Sequence, residues 1–327
     1  MRKSLLFWGA MMCCLGWLPS AARADEYPSR PIQVIVPFAG GSGSDVIARV
    51  VLERMGASMG QRFVVENRPG AGGVMGTKAI TTAAADGYTL VFTASGPLTV
   101  NKVLTDLPYD PEQDFAPITR VATMPNLLAV NAKLPVNTVS EFIAFAKQKP
   151  KTSLVTYSSI GNGSASHLSG AYFAYLTGIE MTHVPYRATS QLVSDLISGE
   201  VPVTFTVLSN VLAPMQAGSV KALAVGADKR LAAVRNLPTL AEAGYAQPDS
   251  SAWFALLAPR GTPKPIIDRL SREVRSAVAD KSVLERFETL GAFPVTTTPD
   301  ELTAFISSEI ARWRDIVART GVKADNR

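Results

Sequence analysis

Short apolar runs alternate along this chain with glycine–serine loops and with stretches of helical periodicity. Val34, Ile35 and Val36 form a β-branched run that reads as a buried parallel strand. Pro37 has no N–H to give to a ladder and stops it. Gly40, Gly41, Ser42, Gly43 and Ser44 then make a turn with little side-chain bulk. After Asp45, the residues Val46, Ile47 and Val50 open a helical pattern predicted over 46–59. A second strand is predicted at 63–66, a second glycine-rich loop at 67–76, and a helix over about 74–84. Asp86-Gly87 is a turn, and a third strand at 88–94 ends in Ser95-Gly96-Pro97. Strands alternating with helices predict a parallel, doubly wound α/β sheet.

Residues 107–117 are rich in proline and acid and are predicted to be irregular, with another apolar run at 126–130. The alternation then restarts. Thr138 with Glu141 reads as a capping box for a helix over 139–148. Strands are predicted at 154–157, 181–184, 203–207, 223–225 and 252–257, and helices at 167–176 and 189–198. Thr262-Pro263 has the order of a helix start, and Thr298, Pro299 and Glu301 repeat it with a capping box. In the last helix Leu302, Phe305, Ile306, Ile310, Trp313 and Ile316 fall on one face, which should pack on a sheet. Residues 25–125 with 251–327 are expected to form one lobe and 126–250 the other. The two chain crossings would make the hinge, with a cleft between the lobes.

Residues 1–24 read as a secretory signal peptide, not as part of the fold. Arg2 and Lys3 give a basic start, 5–18 is an apolar core short for a membrane span, and Ala22-Arg23-Ala24 is an A-x-A cleavage site. Both cysteines, Cys13 and Cys14, lie inside this leader, so the mature chain is expected to have neither disulfides nor thiol chemistry. Ala10, Met11 and Met12 match a lipoprotein box poorly, so a soluble product is expected. The formal charge of +5 also shrinks: taking Arg2, Lys3 and Arg23 from 32 basic residues leaves 29 against 27 acidic ones. Basic residues are scattered, so nucleic acid is not an expected partner. No later apolar segment approaches the length of a membrane span.

Two stretches invite an anion. The 40–45 loop opens a helix whose first N–H groups lack partners and carry partial positive charge, at the strand edge where open α/β sheets bind ligands. Gly41, Ser42, Gly43 and Ser44 are therefore candidate contacts, although glycines also serve an ordinary strand-to-helix turn. Asp45 is an anion where an anion would dock. Helix capping suits it better than touching a carboxylate, with holding a ligand amine as the alternative. The 158–167 segment repeats this logic in the other lobe with Gly161, Asn162, Gly163, Ser164 and Ser166. Ser164 also reads as a simple cap, and His167 as a structural histidine. Arg187, Ala188 and Thr189 end one strand and open a helix. Thr189 and Ser190 are candidate hydroxyl donors, and Arg187 either pairs with a carboxylate or is simply solvated. Ser95 closes the third strand and joins the candidates. Phe38 reads as core or as cover for a ligand's carbon skeleton.

Other chemistries lack support. In 70–76 the dinucleotide pattern needs a glycine where Met75 stands, so a structural turn is preferred. His167 and His183 have no metal-ligand spacing, and Gly-x-Ser-x-Gly is absent. No cofactor, metal or catalytic residue is expected, with a periplasmic hydrolase as the remote alternative.

Several stretches, in this order and spacing, resemble one family: RPIQVIVPFAGGSGSD (30–45), VVENRPGAGG (64–73), DGYTL (86–90), LPYDPEQDFAPI (107–118), IGNGSASHL (160–168), THVPYR (182–187), LPTLAEAGY (237–245) and APRGTPKP (258–265). They resemble the periplasmic substrate-binding receptors of tripartite tricarboxylate transporters, the Bordetella uptake gene family. The resemblance implies a two-lobed periplasmic binding protein fold, each lobe a doubly wound, mostly parallel sheet, closing on a small aliphatic or aromatic mono- or dicarboxylate. It implies delivery to inner-membrane permease subunits. Presentation to a membrane sensor is the alternative, and a monomer is expected. It also implies that the 40–45 loop receives the ligand carboxylate, partly through ordered water. The family usually has Lys and Gly at 187 and 188, often Pro at 191, glycine at 42, and in many relatives an acid at 206. Arg187, Ala188, Gln191, Ser42 and Thr206 stand here instead, which implies a pocket shaped for a different ligand; the missing acid at 206, which could hold a ligand amine, argues weakly against amino acids.

Overall fold

The computed structural model describes residues 27–245 and 251–322. The expected signal peptide, with Cys13 and Cys14, lies outside the described residues. Eleven strands and ten α-helices appear in the order β1 (Ile32–Val36), α1 (Gly43–Met59), β2 (Phe63–Asn67), α2 (Val74–Lys78), β3 (Thr89–Ala94), α3 (Asn101–Leu104), β4 (Phe115–Met124), β5 (Asn126–Asn131), α4 (Val139–Lys147), β6 (Val155–Ser159) and α5 (Ala165–Thr177). There follow β7 (Met181–Pro185), α6 (Thr189–Ser198), β8 (Val203–Val207), α7 (Leu208–Gln216), β9 (Val220–Val225), β10 (Ala252–Pro259), α8 (Lys264–Val278), α9 (Lys281–Leu290), β11 (Phe293–Pro294) and α10 (Pro299–Thr320).

The strands form two sheets, β11-β4-β10-β3-β1-β2 and β7-β6-β8-β5-β9. Four of the six strands in the first run in one direction, and four of the five in the second. In each sheet the long-range crossing strand runs the other way: β10 lies antiparallel between β3 and β4, and β5 between β8 and β9. The β4–β5 and β9–β10 connections carry the chain between sheets. Central strands β8 and β10 are buried at every position and β1 at all but Gln33; the apolar run is unbroken in β10, whereas in β8 it alternates with Thr204 and Thr206.

The two sheets have separate cores, one around Phe92, Phe254 and Ile47, the other around Phe142, Phe173 and Phe205. α10 follows its pattern: Leu302, Ile306, Ile310, Trp313 and Ile316 are buried, and Phe305 packs beside them. Its end also reaches the second lobe, where Trp313 and Ile316 cluster with Leu168 and Tyr172 of α5.

Several local expectations change. The helix expected over 74–84 stops as α2 at Lys78, and tight turns follow. Thr138 caps α4, but Glu141 reaches the N–H of Asn137 at 2.6 Å, not that of the cap itself. Thr298 and Glu301 do form the complete capping box. At α8 the cap is Pro263; the Thr262 hydroxyl donates instead to the Pro259 carbonyl at 2.8 Å. The sequence reading did not forecast β4, α7 or α9, although α9 is capped by Asp280 and stopped by Gly291.

Candidate ligand-binding cleft

Where the lobes face each other, a small cavity is lined from both sides. The first lobe contributes Gly43 and Ser44 at the start of α1, and the second Ser164, Ala165 and Ser166 at the start of α5. Both helices start here because a serine in extended conformation caps each. Ser42 accepts from the N–H of Asp45 at 3.4 Å, and Ser164 from that of His167 at 3.2 Å. Each cap satisfies the third amide of its helix. The N–H groups of Gly43, Ser44, Ala165 and Ser166 have no acceptor among the described residues. Four amide donors at two positive helix ends thus line one cavity, with a wall of Phe38, Ala94, Ala252 and Phe254.

The hydroxyls divide by role. Ser164 donates to the Gly161 carbonyl at 2.6 Å and pairs with Ser166 at 2.9 Å, while Ser166 accepts from the N–H of Ile160 at 3.2 Å. Their polar capacity holds the loop together. The Ser44 hydroxyl has no hydrogen-bond partner among the described residues and faces the same cavity. His167 is structural, as its place at a helix start suggests: Nδ1 accepts from the N–H of Gly163 at 3.2 Å and the ring stacks on His183, centroids 4.0 Å apart.

Asp45 is buried at 3% exposure and occupied within its own lobe. It accepts from the N–H of Gly41 at 2.9 Å, from Asn67 Nδ2 at 2.9 Å and from Arg49 Nε at 3.0 Å. Burial pushes its carboxyl up, but the bonds from Arg49, Gly41 and Asn67 outweigh this and hold it below the usual carboxylate range. It shapes the loop and does not wait for an amine. Asn67, which sequence reasoning passed over, also donates to the Phe38 carbonyl at 3.0 Å and closes the clamp.

A second, larger and more open basin adjoins the cavity, with Phe38 and Ile160 lining both. Ser42, Gly161, Asn162, Arg187 and Thr189 line this outer basin, as does the glycine-rich 70–73 turn. Arg187 is exposed, in keeping with the solvated reading. Of the remaining candidates, Gly41, Ser95, Gly163 and Ala188 line neither space. Ser95 is buried between lining residues Ala94 and Gly96, its hydroxyl without a partner among the described residues. Thr206 lines the inner cavity, and its hydroxyl accepts from Asn210 Nδ2 at 2.9 Å. Sequence reasoning missed Asn126 and Asn210, both in the inner wall. Asn210 sits on α7, which was not forecast, and no local signal pointed to either.

The lobes also touch directly, backbone against backbone. A Cβ on Gly96 would lie 2.7 Å from the Gly163 carbonyl oxygen, and one on Gly161 3.1 Å from Gly72 Cα. A Cβ on Gly72 would collide with the Asn162 carbonyl, and one on Gly163 with the Asn101 side chain. The 70–73 turn is therefore more than a turn: it abuts the opposite lobe.

A family model described as "Tripartite tricarboxylate transporter family receptor" matches residues 47–322. The chain is 38% identical to Protein BugT of Bordetella pertussis over 99% of both chains. Among solved structures it is similar to Rpa4515 of R. palustris with adipate, at 34% identity and a TM-score of 0.87, covering 91% of this chain and 99% of that one. It is also similar to MatC of Rhodopseudomonas palustris with bound malate, at 32% identity and a TM-score of 0.83, covering 89% and 100%.

Proposed function

Because the chain belongs to the tripartite tricarboxylate transporter family of receptors, we propose that it captures a small carboxylate in the interlobe cavity and hands it to the membrane permease of such a transporter. The observation that carries this reading is the convergence of four unpartnered amide N–H groups, from two helix starts in two lobes, on one cavity. An anion held there contacts both lobes only when they are together, so binding draws an open–closed equilibrium toward closure. Residues 25–125 with 251–327 and residues 126–250 move as the two bodies, since each set supplies one sheet. The signal peptide directs the chain to the periplasm, where it works as a monomer without cofactor or metal. The ligand set is Phe38, Gly43, Ser44, Ala165, Ser166 and Thr206 in the inner cavity, where Ser164 lines the wall and holds the loop. Ser42, Gly161, Asn162, Arg187 and Thr189 stand at its mouth, and Gly41, Asp45, Ser95, Gly163 and Ala188 shape the loops.

Thermal-shift screening against small carboxylates tests the reading, because a ligand that binds only the folded state raises the melting temperature, increasingly so as its concentration exceeds its dissociation constant. If no carboxylate shifts it and none co-purifies by mass spectrometry, the reading fails. Delivery is tested by deleting the gene and measuring uptake of the ligand so found. Ser44→Ala is expected to weaken binding about tenfold, the loss of one charge-assisted hydrogen bond of about 1.5 kcal/mol, with the ligand-free melting temperature unchanged. Titration calorimetry checks it. Arg187→Ala, by contrast, is expected to change affinity less than about threefold and to remove part of its salt dependence, as befits an exposed cation at the mouth.

A further inference from the structure

Three features of the inner cavity bear on which carboxylates it accepts. First, no Asp, Glu, Lys, Arg or His lines it among the described residues; its polar side chains are hydroxyls and amides. Second, the donors suited to one carboxylate are the helix starts at Gly43-Ser44 and Ala165-Ser166. Third, the Asn210 carboxamide is only half satisfied. Its Nδ2 donates to Thr206 at 2.9 Å, while its Oδ1 is buried with no partner among the described residues. Rotating the amide does not cure this. The Thr206 hydroxyl would then donate to Oδ1, and the amide nitrogen would lose its acceptor. One end of this amide needs a hydrogen-bonding group in either orientation.

We propose that Asn210, oriented by Thr206, is the specificity-determining residue of the cleft and selects monocarboxylates that carry a neutral hydrogen-bonding substituent, a hydroxyl above all. This rests on the carboxylate-receptor reading and sharpens it. A hydroxyl both donates and accepts, so it completes the amide in either orientation. A second carboxylate or an ammonium would enter a largely apolar wall with no opposite charge to meet it, and an ionised group left unpaired there is disfavoured. A bare alkyl chain would leave the amide unsatisfied, the situation in which polar sites reject analogues lacking the matching group.

The test is titration of the full mature chain at pH 7.5 with matched sets of three to eight carbons: the parent monocarboxylate, its hydroxy derivatives, and the dicarboxylate of equal length. At least one hydroxy acid is expected to bind ten-fold or more tighter than both its parent and its dicarboxylate. In Asn210→Leu the ratio of hydroxy acid to parent is expected to fall to about one, whereas a merely structural asparagine would weaken both acids alike and leave the ratio standing. A dicarboxylate or parent acid that equals the hydroxy acid in every set overturns the proposal, as does a ratio that survives the substitution. Those outcomes leave the carboxylate receptor intact, whereas binding by no acid of any set removes both. If Asn210→Leu does not fold, the wild-type ratios still decide.

Discussion

Gly96→Ala is expected to leave both lobes folded and to cost roughly ten- to a hundred-fold in ligand affinity. Gly96 follows β3 in the first lobe and needs no left-handed backbone, so alanine fits its conformation. Its Cβ would lie 2.7 Å from the Gly163 carbonyl oxygen and 3.4 Å from Ser164 Cα, both in the second lobe. Backbone cannot swing aside as a flexible side chain can. The overlap therefore has to be relieved by parting the lobes, and overpacking of this kind costs about 1 to 3 kcal/mol. That cost falls on the closed form alone, because in an open form the two loops separate. The ligand-free melting temperature should stay within a degree or two, while the ligand-induced shift shrinks and small-angle scattering keeps the open radius when ligand is added. Gly72→Ala should act in the same direction through the Asn162 carbonyl. A normal affinity in Gly96→Ala would mean that the contact between Gly96 and Gly163 is not part of the bound state.

Asp45→Ala is expected to destabilise the protein by about 1 to 3 kcal/mol, the range for leaving hydrogen-bonding groups without a buried acceptor; the Arg49 side chain is half exposed and adds little. Gly41, Asn67 and Arg49 would all lose their acceptor at once, and the 38–45 loop its internal brace. The pH dependence has a definite sign. The folded-state carboxyl titrates below its unfolded value of about 3.9. Its contribution is thus fully present above that value and is lost as the pH falls through the lower, folded value. Urea unfolding of wild type and Asp45→Asn should differ at pH 7 by an amount that holds down to about pH 4 and then narrows. A gap that instead widens on acidification would show that Asp45 is not held as the anion.

How far this was legible beforehand differs between fold and site. The α/β alternation was readable because strands buried on both faces are rich in apolar residues, as β10 is throughout and β1 is but for Gln33. Caps at Ser164 and Thr298 were readable because capping is settled within four residues, whereas at the first helix the expected cap was Asp45 and the actual one is Ser42, with Asp45 inside the first turn. The stretch 208–216 was not readable as a helix: it follows β8 without a turn and contains Pro214. Strand direction was only partly legible, since β5 and β10 look in sequence like any parallel strand, and only their neighbours show them running backwards.

In the cleft the same boundary appears. The chain by itself determined the two glycine-softened helix starts, because exposed first-turn amides follow from local backbone geometry wherever such a loop meets a helix. Only the tertiary structure decided that Ser44 is the open hydroxyl while Ser164 is consumed by its own loop, that Asp45 is clamped by Asn67 twenty-two positions away, and that Asn210 completes the wall. The reason is physical: a donor's availability depends on which acceptors the rest of the fold brings within about 3 Å, and those acceptors lie on other strands and, at the Gly96–Gly163 contact, on the other lobe.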